Sequence, residues 1–134
     1  MSEPRFSIGI DLGTTHCALS YVDIGACDGE QVVQEVLQIP QLTAPGSVES
    51  LGLLPSFLYL PHASELAAGD LHLPWTAEQD YAVGEMARSR GAATPIRLVS
   101  SAKSWLCHAG VDRRAAILPN DAPPEVTRLS PLEA

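Results

Sequence analysis

The sequence predicts an α/β fold, an antiparallel β-meander carrying short helices. Three observations predict it. Apolar residues alternate at period two through Phe6, Ile8, Ile10 and Leu12. Two more strand-like runs follow at 16–23 and 31–39, and helical spacing returns only in brief stretches near 84–90 and 101–108.

Taken in order, the first strand spans 5–12. Phe6, Ile8, Ile10 and Leu12 share one face, expected to pack on the core, while Ser7, Gly9 and Asp11 share the other. Asp11 therefore leaves the strand away from the core. Gly13 can take a positive φ and turn the chain into the second strand, 16–23. The Gly25–Glu30 loop is a hairpin connection to the third, 31–39. Segments 40–50 and 61–76, rich in Pro, Gly and Ser, read as loops, the first a candidate for mobility. Strands at 55–60 and 81–83 precede the two helices. Residues 109–129, with Pro119, Pro123 and Pro124, read as an extended connector. Ser130-Pro131-Leu132-Glu133 is a capping box with Ser at the N-cap and Glu three residues on, so a helix is expected to begin there and to be cut off.

The 134 residues suit one domain, and 46% hydrophobic with 18% charged residues is a globular composition. Eight basic against sixteen acidic residues give a net charge of −8, which argues against nucleic acid or an anionic membrane as partner. No apolar run approaches the ~20 residues of a membrane span, and Met-Ser-Glu-Pro-Arg lacks a signal peptide's hydrophobic stretch. Cys17, Cys27 and Cys107 are odd in number without close pairing, as reduced thiols in a cytoplasmic protein would be.

The string Ile8-Gly9-Ile10-Asp11-Leu12-Gly13-Thr14-Thr15 carries the chemistry. A turn at Gly13 presents the backbone N–H groups of Thr14, Thr15 and His16 to a bound anion, and the two threonine hydroxyls add donors. A carboxylate this close to phosphate requires a cation between them, most simply a hydrated Mg²⁺ that Asp11 touches through water. Asp-x-Gly alone is also what an ordinary hairpin turn looks like. The whole string is more specific, and points to a nucleotide phosphate.

At these residues the chain resembles the 70-kilodalton heat-shock chaperones, within the actin-like and sugar-kinase ATPase superfamily. Leu54-Pro55-Ser56-Phe57-Leu58 resembles the family's Thr-Pro-Ser and following strand, Ala82-Val83-Gly84-Glu85-Met86-Ala87-Arg88 its Val-Gly-x-x-Ala-Lys/Arg helix start, and Ser101-Ala102-Lys103-Ser104-Trp105-Leu106 the segment holding its essential lysine. The resemblance covers roughly residues 5 to 108. It implies a divergent member whose fold is the ribonuclease-H-like, actin-like first lobe, incomplete here. His16 stands where the family has Asn or Tyr, and 61–80 looks like an insertion. The family's second phosphate motif and adenosine motif are not found in the chain, so 1–134 is expected to be an N-terminal fragment of the nucleotide-binding domain.

The resemblance implies ATP or ADP with Mg²⁺ as cofactors. Asp11 and Lys103 would be the catalytic pair, with Asp11 on the hydrated metal and Gly13, Thr14, Thr15 and His16 binding phosphate. Lys103 would hold the γ-phosphate or stabilise charge as the bond breaks. From spacing alone, Lys103 also reads as a solvated helix residue. Its place in a first helical turn is mildly unfavourable with the dipole, by tenths to about 1 kcal/mol. His16 reads equally well as a strand-edge histidine. Cys107-His108 has no partner pair at zinc spacing, and His62 and His72 fall in the insertion. Trp75 and Trp105 read as packing residues, and Arg88, Arg90, Arg97, Arg113 and Arg114 as solvated surface.

Three functions follow from this reading. In the first, the chain is part of a chaperone-like ATPase coupling hydrolysis to protein folding or remodelling, with unfolded clients and cochaperones reached through the full-length protein. The second is a sugar-kinase type of the same superfamily, and Lys103 with Pro55-Ser56 discriminates against it. The third is a non-catalytic actin-like scaffold. In each, the fragment alone is expected to be inactive and to self-associate through an apolar patch or a sheet edge.

Overall fold

The computed structural model describes residues 2–134. The alternating run forms β1 (Phe6–Leu12), which turns at 13–15 into β2 (His16–Asp23). The two strands pair antiparallel over seven positions, from Phe6 opposite Asp23 to Leu12 opposite Cys17. The third strand is much shorter than the sequence predicts. β3 is only Glu35–Val36, paired with Tyr21 and Ser20 of β2.

Segment 40–50 is not a loop. It holds β4 (Ile39–Ala44) and β5 (Ser47–Leu51), a hairpin closed by Pro45 and Gly46. Proline fixes its own φ and Gly46 takes φ 69°, the combination a type II turn requires. Two short strands follow, β6 (Leu54–Pro55) against β2 and β7 (Phe57–Tyr59). β7 lies between β8 (Ala82–Val83) and β9 (Leu98–Ser100), with both pairings antiparallel. The helices are α1 (Glu85–Ala93) and α2 (Ala102–Leu106).

This arrangement corrects the predicted fold class. About 33% of residues lie in strands or bridges against 15% in helices, so helix is the minor component. Every strand pair among the described residues is antiparallel, and the strands divide into three small sheets. The α/β, ribonuclease-H-like, actin-like ATPase lobe is therefore not the architecture found. Alternation and turn residues specify individual strands. They do not specify how strands group into sheets, which depends on pairings between distant segments.

The core sits around β7, whose alternate side chains enter two clusters. Tyr59 joins Leu42, Ala82, Met86 and Ala87 on one side, with Phe57, Leu66, Leu71 and Leu73 packed against them. Leu58 joins Val99 and Leu118 on the other, with Trp105 and Leu129 alongside. Gln41 is buried beside the first cluster with both of its polar atoms bonded. Its Oε1 accepts from the Glu85 N–H at 3.0 Å, capping α1 from β4, and its Nε2 donates to the Leu53 carbonyl at 2.9 Å. Gly84, at φ 86°, leads into that helix where a Cβ would meet Gln41 Oε1 at 2.6 Å. Residues 109–129 form no strand beyond a bridge of Leu118 to Leu129, yet Leu118, Ala122 and Val126 are buried. The capping box forms its reciprocal bonds, Glu133 N to Ser130 Oγ at 3.3 Å and Ser130 N to Glu133 Oε2 at 2.9 Å.

The 61–80 segment is tied down through Glu65. Its carboxylate accepts from the Tyr59 hydroxyl at 2.8 Å and the His62 N–H at 2.8 Å, with Arg97 Nε 3.9 Å away. Burial of Glu65 opposes ionisation, but the His62 N–H, the Tyr59 hydroxyl and the charges of Arg97 and Arg90 outweigh it and hold the carboxyl below its ordinary 4.5. A carboxyl depressed in the folded state contributes stability that is present above the unfolded value. That contribution is lost as pH falls through the folded one. Denaturant midpoints measured from neutral pH down through the acid range should therefore fall less for Glu65→Gln than for the wild type. Parallel curves would show that Glu65 contributes nothing to acid sensitivity.

Candidate functional site

The site residues of the sequence come together at the β1–β2 turn. Gly13 does not take the left-handed φ expected of it. Close approach is what requires glycine here, because a Cβ on residue 13 would overlap the His16 carbonyl across the turn. Asp11 is exposed in β1 opposite Ala18, and among the described residues it forms no ion pair. Thr14, Thr15 and His16 are exposed as well.

Ser56 holds the turn from below. Its hydroxyl donates to the Gly13 carbonyl at 2.9 Å, and its N–H donates to the Thr15 carbonyl at 2.9 Å. β6 brings it there by pairing Pro55 with His16 and Leu54 with Cys17, whose Sγ lies 3.4 Å from the Ser56 hydroxyl. The carbonyls of the turn are thus drawn toward β6. Among the described residues, none accepts from the N–H of Thr14 or Thr15. The Gly13 and Thr15 carbonyls are thus engaged while the Thr14 and Thr15 N–H groups remain available as donors.

Lys103 reaches this turn from 91 residues away, and its ammonium donates to the Leu12 carbonyl at 2.6 Å. α2 is aimed by Ser101, which adopts φ 55°, ψ 29°, a left-handed conformation costly for a residue with a Cβ. Ser101 is the N-cap of α2, and its side chain makes no capping bond. The Ser56 contacts were not legible as a site. The signal present, Pro55-Ser56 after an apolar pair, marked a landmark and gave no role.

The apolar face of β1 does not meet the core. Phe6 is 43% exposed, Ile8 61%, and Ile10 and Leu12 63% each, against the expectation that this face meets the core. Single-strand alternation shows which residues share a face, and says nothing of whether another element covers it. A cleft of about 880 Å³ lined by Leu60, His62, Leu66, His72, Arg97 and Glu133 lies elsewhere and includes neither the turn nor Lys103.

Among the described residues no group of His, Cys, Asp and Glu is clustered so as to hold a metal. Asp11 is a single carboxylate beside free N–H donors. That donor set fits a magnesium ion kept hydrated and held mainly by phosphate, and does not fit an all-protein metal cage.

No family model matches the chain, and neither a curated protein nor a solved structure does. Among the described residues no helix is long and apolar enough to cross a membrane.

Proposed function

We propose that the Asp11–His16 turn and Lys103 bind the phosphates of Mg·ATP or Mg·ADP. In this reading the chain is the phosphate-gripping portion of a chaperone-like ATPase, whose clients and cochaperones are engaged by the full-length protein. One observation carries it: Lys103, far away in sequence, donates to the Leu12 carbonyl beside a turn whose Thr14 and Thr15 donors are free.

Each residue has a task in this reading. The Thr14 and Thr15 N–H groups and hydroxyls take phosphate oxygens, with the His16 N–H at the end of the turn. Lys103 exchanges its bond to a neutral carbonyl for a stronger one to a charged oxygen, since charge-assisted hydrogen bonds are about twice as strong as neutral ones. Asp11 orients the water shell of Mg²⁺, and bound magnesium would neutralise charge on the phosphates. Ser56 keeps the turn's carbonyls away from the anion.

Calorimetric titration of the chain with Mg·ATP and Mg·ADP tests this. Lys103→Ala should weaken binding by about 10- to 150-fold, the equivalent of a lost hydrogen bond to a charged group, ~1.5–3 kcal/mol. Asp11→Asn should remove the dependence on Mg²⁺ while sparing binding of the metal-free nucleotide. Equal affinity in wild type and Lys103→Ala would refute the reading. Turnover by the isolated chain should be negligible, and hydrolysis abolished by Asp11→Ala or Lys103→Ala would overturn that expectation.

A further inference from the structure

The outer edge of β1 carries a self-complementary pattern of hydrogen-bonding groups. In its sheet the strand order is β1-β2-β3, so β1 has one neighbour and one open side. The Ile24 N–H donates to the Arg5 carbonyl at 2.8 Å, which makes Arg5 and Ile24 a hydrogen-bonded pair in the β1–β2 register. By alternation Ser7, Gly9 and Asp11 direct their main-chain groups at β2, and Phe6, Ile8, Ile10 and Leu12 direct theirs outward. The Leu12 carbonyl is taken by Lys103. Phe6, Ile8 and Ile10 are left with both outward groups open.

We propose that this edge pairs antiparallel with β1 of a second copy, about a twofold axis at Ile8. In that register Ile8 faces Ile8 of the second copy and Phe6 faces Ile10. The open N–H and carbonyl groups of Phe6, Ile8 and Ile10 are then all used, six hydrogen bonds from three residues in each chain, and the Leu12 N–H faces the Pro4 carbonyl. Leu12 faces Pro4, which has no N–H to offer a carbonyl already occupied by Lys103. Arg5 faces Asp11, so its guanidinium, which is exposed and lies 3.0 Å from Asp23 of its own chain, is shared with a second carboxylate across the axis, in two symmetric pairs. Registers centred on Gly9 or Ile10 call on the occupied Leu12 carbonyl and leave Asp11 opposite Ser7 or Gly9. The exposed face of Phe6, Ile8, Ile10 and Leu12 becomes continuous across both copies, an isologous arrangement closed by the twofold axis. No proline or lysine lies within 6–12 to blunt the edge.

Sedimentation equilibrium of the whole chain across the micromolar range, without nucleotide or Mg²⁺, tests this independently of phosphate binding. The mass should rise from that of a monomer to twice it. Amide exchange should slow at Phe6, Ile8 and Ile10 as the dimer forms, while Ser7, Gly9 and Asp11 are protected in both states. Asp11→Arg puts like charges opposite one another twice and should weaken the dimer by about tenfold, although it lowers the net negative charge that opposes association. A monomer at every concentration overturns the proposal and leaves the edge to a different protein. So does a dimer in which the Phe6, Ile8 and Ile10 amides stay unprotected, or one that Asp11→Arg leaves unchanged.

Discussion

Gly13→Ala is expected to destabilise the chain by about 3 kcal/mol and to abolish nucleotide binding at the β1–β2 turn. The added methyl overlaps the His16 carbonyl, and that carbonyl belongs to a residue paired with Pro55. No side-chain rotation relieves the overlap, because the clashing atom is backbone. The turn must open, and opening it moves the Gly13 and Thr15 carbonyls off Ser56 and lets the Thr14 and Thr15 donors splay. Denaturant unfolding gives the stability change, and titration with Mg·ATP gives the binding loss. Ser56→Ala offers a milder comparison, since it removes the hydroxyl bond to Gly13 while leaving the Ser56 N–H on Thr15. A Gly13→Ala chain with normal stability and affinity would mean that the turn tolerates a wider geometry and that its glycine is not selected by close approach.

That turn was legible because its determinants are local. Alternation through Phe6–Leu12, one glycine and two threonines lie within ten residues, and they describe a strand, a bend and a row of donors without reference to the rest of the chain. The start of α1 was legible for the same reason, since Gly84 precedes Glu85, Met86 and Ala87. The β4–β5 hairpin is not, because Pro45 and Gly46 suit a long loop as well as the two-residue turn they form. Gln41 illustrates the deeper difficulty. Nothing in the sequence marks Gln41 for burial, and its burial rests on bonds to the distant Glu85 N–H and the Leu53 carbonyl. The sheet grouping, the bare face of β1 and the Ser56 brace all depend on contacts between segments dozens of residues apart. The link from Lys103 to Leu12 is equally remote: the resemblance implies a phosphate for Lys103, and nothing in the sequence pairs it with Leu12.

Tyr59→Ala should have the largest effect on stability, about 3–5 kcal/mol, a sizeable share of the ~5–15 kcal/mol that holds a typical domain folded. The ring is 1% exposed and packs with Leu42, Ala82, Met86 and Ala87, so truncation leaves a cavity between the β4–β5 hairpin and α1. The hydroxyl has a separate role, because it donates to Glu65 at 2.8 Å and so pins the 61–80 segment to β7. Tyr59→Phe separates the two. It keeps the packing, removes one hydrogen bond to a charged acceptor, and should cost about 1.5–3 kcal/mol at most, with solvent access to Glu65 pulling the value down. Limited proteolysis should then cut Tyr59→Phe within 61–80 faster than wild type while leaving the rest of the chain resistant, whereas Tyr59→Ala should be cut throughout. If both variants lose equal stability and are digested alike, the hydroxyl and not the ring dominates at this position. The 61–80 segment would then be integral to the folding of the core, and not an addition fastened to a core that folds without it.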